Sequence, residues 1–525
     1  MLTPTPSEAL LDLAADVMGL DARTLAPRAA GSPFITLGGT YDRAMRLRLR
    51  AGETLGLGLE PHRLMGPAPL ADVLDRAVPV PAPSPRLAHR PAWRPLLPGQ
   101  SAALAAEREA GAHAVHRVLS AELTGPLDVP ALRTAIDALC ARHEGLRTAF
   151  APFGQGLARR VLDRHPAPLV TLRHLPPDAG VEPVAAAHLR LTADLRRLAG
   201  QPGSPPLAFV LAALGPDRHL LSFVHHEAVA DGFSAALVWR ELLDGYHRVT
   251  HGLPPDRSPA PAPDTVLPDG APSGVPAGSG GHEGGTVPRF RTERLGFGLD
   301  TALRDAVDRT ARRAGVPHSG VLLAAWALAL GRGSGAETVA VDVELPRHPG
   351  AAPVRSVAPC AASVPVSCAL EGTTDYFLRG VACAFGEALA AAEAPAGGEG
   401  RGTAHALAPS APARVLFAAR DEWLPASCAY GPLGVRFHHG RLGAGPAQAA
   451  LSVLRWREDP LLCLDFAPSV IERASAVRLV AEVQQTLRAL VRARSWAPVD
   501  DLLPRSGARG TAPFSATGTV PLPLC

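Results

Sequence analysis

The stretch Phe223-Val224-His225-His226-Glu227-Ala228-Val229-Ala230-Asp231-Gly232-Phe233-Ser234 closes an apolar run with two histidines and a glutamate, and then enters a helical pattern. The run before it is typical of a short buried strand, and the apolar spacing after it predicts a helix. The titratable residues therefore lie on a strand-to-helix loop, where flanking elements can hold a base in a cleft. A structural interpretation is also open, because Asp231 can cap the helix and either histidine can be a core residue.

A second motif, Arg142-His143-Glu144-Gly145-Leu146-Arg147-Thr148-Ala149-Phe150, follows a helical pattern that starts near Asp128. Leu132, Ile136 and Leu139 share one face of that predicted helix. The motif matches Arg-His-Glu-x-Leu-Arg-Thr-x-Phe at every fixed position. On these residues the chain resembles the condensation domains of nonribosomal peptide synthetases.

The second signature of that family is His-His-x-x-x-Asp-Gly, commonly with Val-Ala before the Asp-Gly. The residues Val229-Ala230-Asp231-Gly232 reproduce its end. Counting back from Asp231 places Glu227 at the second histidine and His226 at the first, while His225 is extra. A bulge of one residue in the loop would restore a tandem histidine, but the end of the motif fits without one.

Later segments match the family in the same order. They are the apolar helix 316–330, the strand 341–347 that ends with Arg347, the strand 464–466 and the helix 471–491. The resemblance spans residues 95 to 505 and implies an α/β (α+β) fold. In that fold two chloramphenicol acetyltransferase-like lobes form a V, with a tunnel between them and the His-Glu loop at its middle.

The N-terminal region resembles a peptidyl carrier protein. Residues 7–20 have the pattern of an amphipathic helix, and Phe34-Ile35-Thr36-Leu37-Gly38-Gly39-Thr40-Tyr41-Asp42 is similar to a carrier's Gly-Gly-Asp-Ser-Leu modification loop. Tyr41 stands where the carrier serine bears its phosphopantetheine arm. A phenol offers no aliphatic hydroxyl, so we expect a small helical bundle that cannot be loaded and no covalently bound cofactor.

Composition divides the chain further, because proline-rich and glycine-rich stretches without periodicity predict linkers. A chain of 525 residues is also too long for a single core. We predict a carrier-like domain over 1–78, a proline-rich linker over 79–97, an N-terminal lobe over 98–252, a disordered linker over 253–288, a C-terminal lobe over 289–505 and a tail over 506–525.

Charge and cysteine content exclude several classes of function. The formal net charge is only +3 and the basic residues are scattered, which argues against a nucleic-acid partner. The densest basic run, 43–50, is interpreted as a solvated helix face in preference to an interaction surface. The seven cysteines lack zinc-site spacing, and no leader or membrane span is recognisable, so we expect a soluble, cytoplasmic protein without a metal or membrane partner.

The resemblance implies the transfer of an acyl or aminoacyl group from a phosphopantetheine thioester to an amine or hydroxyl acceptor. Glu227 could then be the general base, since burial raises a carboxyl pKa from about 4.3 towards neutrality. A carboxylate cannot donate a hydrogen bond to a tetrahedral oxyanion, so His226 or His225 would have to supply that donor. A hydroxyl acceptor would need the base more than an α-amino group, whose pKa is near 8.

The other motif residues are expected to support the site. By resemblance, Asp231 pairs with an arginine, for which Arg347 is the candidate, and Gly232 keeps the tunnel open. A trio of residues is expected to brace the floor of the lobe: Arg142, His143 and Arg147.

Three functions fit these residues. The first is a freestanding condensation enzyme with a variant motif, whose donor arrives on a carrier protein in trans and whose acceptor is a small molecule or is itself carrier-bound. The second is a silent scaffold or docking protein of a synthetase assembly, because Tyr41 and Glu227 each replace a reactive residue. The third is an acyltransferase that uses coenzyme A thioesters. The titratable cluster His226, Glu227, Asp231 and Gly232 favours an enzyme.

Overall fold

The computed structural model describes residues 5–80, 93–110, 115–153, 156–166, 168–172, 203–261, 290–334, 336–346, 356–359, 361–393, 415–420, 424, 427–439, 444–445, 447–457 and 460–502. Twelve α-helices lie within these residues: α1 Pro6–Met18, α2 Ala22–Ala29, α3 Tyr41–Leu55, α4 Pro61–Leu64, α5 Leu70–Leu74, α6 Pro98–Ala110, α7 Val129–Arg142, α8 Gly232–Thr250, α9 Thr301–Ala314, α10 His318–Ser334, α11 Thr374–Glu393 and α12 Arg473–Arg492. Short 3-10 helices cover Phe34–Leu37, Glu144–Arg147 and Val499–Leu502.

The strands of the same residues form two large sheets and three small ones. The bounds are β1 Leu57–Gly58, β2 Val78–Pro79, β3 His116–Thr124, β4 Thr148–Phe153, β5 Gly156–Val161, β6 Leu169–Leu172, β7 Leu207–Gly215, β8 Arg218–His226, β9 Phe290–Arg291, β10 Glu293–Gly298, β11 Thr338–Pro346, β12 Ala361–Ala369, β13 Val415–Ala419, β14 Ser427–Tyr430, β15 Leu433–His439, β16 Ala444–Gly445, β17 Ala449–Arg455 and β18 Leu461–Phe466. The small sheets pair β1 with β2, β4 with β5 and β9 with β16.

The first large sheet has the strand order β14-β15-β3-β8-β7-β6. Helices α7 and α8 cover one of its faces, and Ile136, Phe223 and Trp239 lie in the core between them. Strands β14 and β15 come from the C-terminal half of the chain; β15 pairs with β3, and β14 pairs with β15 at the edge of the sheet. The predicted lobe boundaries were wrong in this respect, because residues 427–439 were placed with the second lobe. Strands that are distant in sequence pair without leaving a local pattern, so this pairing could not be predicted from the sequence.

The second large sheet has the order β10-β18-β17-β13-β11-β12. Strands β11, β13 and β17 run parallel to one another, and the other pairs are antiparallel. Helices α9 to α12 pack on this sheet around Trp326, Phe377 and Phe466. The fold is therefore the mixed α/β fold of two lobes that the resemblance implied.

The N-terminal helices α1 to α5 share their hydrophobic core with the helices of the second sheet. Leu10, Phe34, Leu47 and Leu64 belong to the same buried cluster as Trp326. The 3-10 helix Phe34–Leu37 lies against α9, and α4 lies against α11. The bundle is therefore packed onto the C-terminal lobe as part of its core.

Two expectations about surface segments need correction. Arg48, within the basic run, is fully buried, although its neighbour Arg46 is exposed. The N–H of Ala260 donates to the carbonyl of Arg142, so this part of the predicted disordered linker is packed against α7. Residues 262–288 of that linker lie outside the described residues.

Among the described residues, no single helix has the length and apolar composition to cross a bilayer. Two consecutive helical segments reach that length and composition only when they are taken together, and there is a bend of 101° between them: Thr301–Ala314 and His318–Arg332.

Candidate active site

The cluster that the sequence placed on one loop is divided in the structure: His225 and His226 are the last residues of β8, and only Glu227 to Asp231 form the loop that leads into α8. Antiparallel pairing with β3 places His226 opposite His116 and His225 opposite Arg117. The N–H of Glu227 donates to the carbonyl of Val115 at 3.0 Å, which extends the ladder by one more pair. Because side chains alternate along a strand, the two histidines lie on opposite faces of the sheet.

His225 lies on the helix-covered face. Its ring stacks on Phe223 with the ring centroids 4.7 Å apart, and only 1% of the residue is exposed. Burial lowers the pKa of His225 to about 3, and the nearby charge of Arg117 also disfavours protonation. His225 is therefore a neutral core histidine near pH 7, as one structural interpretation of the sequence allowed.

His226 is also closed to solvent, with 2% exposed. Its Nδ1 accepts a hydrogen bond of 2.9 Å from the N–H of Ala228, so a neutral ring carries its proton on Nε2. That Nε2 lies 3.2 Å from Oε2 of Glu107 on α6, and the ring meets His116 edge-on at 5.0 Å. Both ring nitrogens of His226 therefore take part in contacts within the fold, one with the start of the loop and one with α6.

Glu227 is half-buried, in contrast to the buried His225 and His226. Its carboxylate forms an ion pair with the guanidinium of Arg117, and the two side chains are 14% and 23% exposed, respectively. The guanidinium stabilises the ionised carboxylate, an effect that the sequence argument did not include because it considered burial alone.

Asp231 caps the helix that follows the loop. Its Oδ1 accepts a hydrogen bond of 2.7 Å from the N–H of Ser234, and Gly232 is the first residue of α8. Arg347 lies outside the described residues, so its pairing with Asp231 stays a prediction. The role of Gly232 in a tunnel likewise stays a prediction.

Residues 356–359, which we call the crossing segment, bring the C-terminal half of the chain to the start of α8. The hydroxyl of Ser234 donates to the carbonyl of Ala358 at 2.7 Å. The crossing segment also passes so close to Gly145 that a Cβ added there would lie 2.1 Å from the carbonyl oxygen of Val357. The glycine in the Arg-His-Glu-Gly motif therefore makes room for the crossing segment.

The arginine and histidine of that motif are held by α8. The Nε of Arg142 lies 2.9 Å and the Nε2 of His143 2.8 Å from the same Oε2 of Glu241. Burial raises the pKa of Glu241, but the hydrogen bond with His143 and the charge of Arg142 outweigh it and keep that pKa below its ordinary value. Arg147 donates from Nε to the carbonyl of Cys140 at 2.8 Å. The contacts of Arg142 and His143 with Glu241 tie the end of α7 to α8, whereas Arg147 binds the last turn of α7. The role of the three residues as a brace stays a prediction.

Sequence reasoning missed Glu107, Arg117 and His116. Each lies next to the motif only through the β3 and β8 register or through the position of α6. The alternating pattern of β3 could have placed Arg117 on a strand, but no local signal gives its partner strand.

In the carrier-like region, Tyr41 is the first residue of α3 and Thr40 is its N-cap, with Oγ1 3.3 Å from the N–H of Arg43. The identity of residues 1–78 as a carrier-like domain stays a prediction.

Comparison with known proteins places the site in a family context. Residues 95–262 match the model of the condensation domain. A stretch of 143 residues is 38% identical to the "Probable non-canonical nonribosomal peptide synthetase (NRPS) CymA" of Salinispora arenicola, covering 27% of this chain and 2% of that protein. A stretch of 263 residues is 32% identical to a dimodular nonribosomal peptide synthase of Bacillus subtilis, covering 49% of this chain and 10% of that protein.

Solved structures extend the likeness beyond the first lobe. The condensation domain of the monacolin K polyketide synthase MokA superposes with a TM-score of 0.61 at 17% identity, covering 78% of this chain and 99% of the other. The X-domain from teicoplanin biosynthesis gives 0.59 at 21% identity, covering 80% and 99%. Residues 95–262 are therefore similar in sequence to condensation domains, and the wider similarity to the solved condensation domain and X-domain is one of fold.

Proposed function

We propose that this chain is a condensation-type acyltransferase with a variant motif, which moves a carrier-bound acyl or aminoacyl thioester to an amine or hydroxyl acceptor. The observation that carries the proposal is the partly open Glu227–Arg117 pair. It lies at the loop position where the family motif has its second histidine. A half-buried carboxylate at the start of the loop between β8 and α8, paired with a charged group on β3, supports a role in proton transfer.

The proposed donor is a thioester on a carrier protein in trans, and the acceptor is a small molecule or carrier-bound. The structural relatives include a starter condensation domain of rhizomide synthetase described in complex with C8-CoA. Carrier proteins and coenzyme A present their acyl groups on the same pantetheine arm, so both donor types belong in a test.

The test is a transfer assay with acylated carriers and coenzyme A thioesters, each offered with candidate acceptors and followed by product mass. It is repeated with Glu227→Ala and His226→Ala, and with Glu387→Ala as a control on the exposed face of α11. We expect turnover that Glu387→Ala leaves unchanged and Glu227→Ala abolishes. Turnover that survives both loop substitutions would remove the assignment of the site.

A second candidate function is a scaffold or docking module without chemistry. Its support is that His225 and His226, at the end of β8, are both buried and hydrogen-bonded within the fold. The X-domain of teicoplanin biosynthesis, which has the same fold, is described in complex with OxyB. Absence of turnover with every donor and acceptor, together with binding of a synthetase component by this chain, would favour this function over the first.

A further inference from the structure

We propose that this chain forms a two-fold symmetric dimer through one exposed surface of the C-terminal lobe. The partner is a second copy of the chain, and the proposal is independent of the proposed acyl transfer. The surface lies where the ends of α9 and α12 meet the start of α11. We call it the aromatic surface, and its residues are Glu371, Tyr376, Arg492, Arg494, Trp496 and Asp500.

Two aromatic side chains form the middle of this surface. Trp496 is 63% and Tyr376 62% exposed, the largest exposed fractions among the large hydrophobic side chains of the described residues. They flank one backbone contact, because the N–H of Asp375 donates to the carbonyl of Ser495 at 3.1 Å. Tryptophan and tyrosine supply much of the binding energy of protein interfaces, so two that are open side by side indicate a contact surface.

The aromatic surface is held in place by the helices beneath it. Arg313 of α9 donates from Nε and Nη2 to Oδ1 of Asp375 at 3.1 and 2.9 Å, and from Nη1 to the carbonyl of Ala493 at 3.3 Å. Gly372 has a φ of +77°, and a Cβ added there would lie 2.6 Å from Cδ1 of Tyr376. The tyrosine ring therefore lies over the glycine. A surface that is already ordered loses little conformational freedom when it binds.

One end of the aromatic surface is acidic. The chain after Trp496 runs antiparallel to the residues before α11. The N–H of Val499 donates to the carbonyl of Gly372 at 2.9 Å, and the next residues beyond this contact are Glu371 and Asp500. Both carboxylates belong to exposed residues.

The other end is basic. Arg492 is the last residue of α12, and Cζ of Arg494 lies 5.4 Å from the centroid of the Trp496 ring. Both arginines are exposed. Among the described residues, neither these arginines nor the two carboxylates of the acidic end have an ion-pair partner.

This order of charges is what a two-fold interface requires. A two-fold axis through the aromatic middle reverses the order in the second copy, so the basic end of each copy faces the acidic end of the other. Arg492 and Arg494 would then meet Glu371 and Asp500 twice over, once on each side of the paired aromatic residues. A partner of a single charge would satisfy only one end, which is why the surface favours a second copy of this chain.

The first experiment measures the mass of the full chain by sedimentation and light scattering. The aromatic surface is small compared with the roughly 20 to 30 residues per side of a stable interface, so we expect a weak dimer that forms between about 1 and 100 μM. Trp496→Ala should raise the dissociation constant about 30-fold or more, the loss expected for the central residue of an interface. Val477→Ala, which is 51% exposed near the start of α12, is the matched control and should leave the dimer unchanged.

The second experiment reverses the charges at each end in turn. One variant combines Arg492→Glu with Arg494→Glu, and the other combines Glu371→Arg with Asp500→Arg. Each variant alone places like charges opposite each other and should stay monomeric. A mixture of the two should form a mixed dimer, because every facing pair then has opposite charges. Arg133→Glu, at an exposed position of α7, is the control and should dimerise as the wild type does.

Circular dichroism shows whether each variant is folded. A wild-type chain that stays monomeric over the whole concentration range overturns the proposal. A dimer that folded Trp496→Ala leaves unchanged overturns the choice of surface. Folded charge-reversed variants that do not associate when mixed, or that dimerise alone as tightly as the wild type, overturn the two-fold arrangement. If Trp496→Ala does not fold, the mixture of charge-reversed variants decides, since a mixed dimer forms only from folded partners.

Discussion

Ser234 and Ala358 are joined by two hydrogen bonds, although 124 residues separate them in the chain. The serine hydroxyl donates to the carbonyl of Ala358 at 2.7 Å and accepts from its N–H at 3.2 Å. Both residues are buried, so the first turn of α8 is fastened to the crossing segment. This contact links the loop that carries Glu227 to the C-terminal half of the chain.

Ser234→Ala should lower the free energy of unfolding by about 1 to 3 kcal/mol, because it leaves a buried N–H and carbonyl of Ala358 without their partner. Urea denaturation measures this change. Ser101→Ala, at an exposed position of α6, is the matched control and should cost far less. Equal effects of the two substitutions would contradict the inter-half contact.

Asp231→Ala should remove the helix cap and cost about 0.5 to 2 kcal/mol. Asn is about as good a cap as Asp, so Asp231→Asn should cost less if capping is the main role. Urea denaturation of both variants separates the contribution of helix capping from that of the carboxylate charge. A loss of about 3 to 5 kcal/mol in both would instead indicate the buried ion pair that the family resemblance predicted.

His225 should make the folded chain acid-sensitive. Its pKa of about 3 in the folded chain lies below the ordinary value of 6.5. Between these values the unfolded chain binds a proton that the folded chain does not. Stability from this residue is therefore complete above pH 6.5 and declines as the pH falls towards 3, by at most about 1.4 kcal/mol per pH unit.

His225→Phe should make the unfolding free energy depend less steeply on pH between 6 and 4. Urea denaturation at several pH values measures the slope. His251→Phe, at an exposed position after α8, is the control and should leave the slope unchanged. An unchanged slope in His225→Phe would show that His225 is protonated in the folded chain.

The motifs predicted the fold class and the position of the loop, because strand, loop and helix each leave a local pattern of apolar spacing. They also predicted the helix that starts after Asp128, whose carboxylate caps α7. The partner of Glu227 could not be predicted, because Arg117 lies 110 residues away and reaches it only through the β3–β8 register. The pairing of β15 with β3 and the burial of Arg48 also depend on tertiary packing, which leaves no local pattern in the sequence.

Deletion of residues 1–78 should destabilise the C-terminal lobe, because the bundle shares a core with α9 and α11. Its removal would expose apolar surface at about 25 cal/mol per Å². Urea denaturation and dye binding to exposed apolar surface measure the effect. A truncated chain with unchanged stability, partner binding and turnover would rule out a structural role for the bundle.

Tyr41 should prevent loading of the carrier-like region. Incubation with a phosphopantetheinyl transferase and coenzyme A should add no mass to this chain, because the serine position of the loop is a phenol. A carrier protein with an intact serine, treated in parallel, is the positive control. A mass increase of one phosphopantetheine arm on this chain would contradict the interpretation.

Strand β3 has different partners on its two edges. One edge pairs with β8, which leads into the loop, and the other pairs from Thr124 to Leu119 with β15 of the C-terminal half. The two halves therefore cannot separate as independent bodies without breaking that ladder. Any movement of β15 that keeps the ladder intact must carry β3, and with it Arg117, so a displacement of the C-terminal half is transmitted directly to the strand that holds the partner of Glu227.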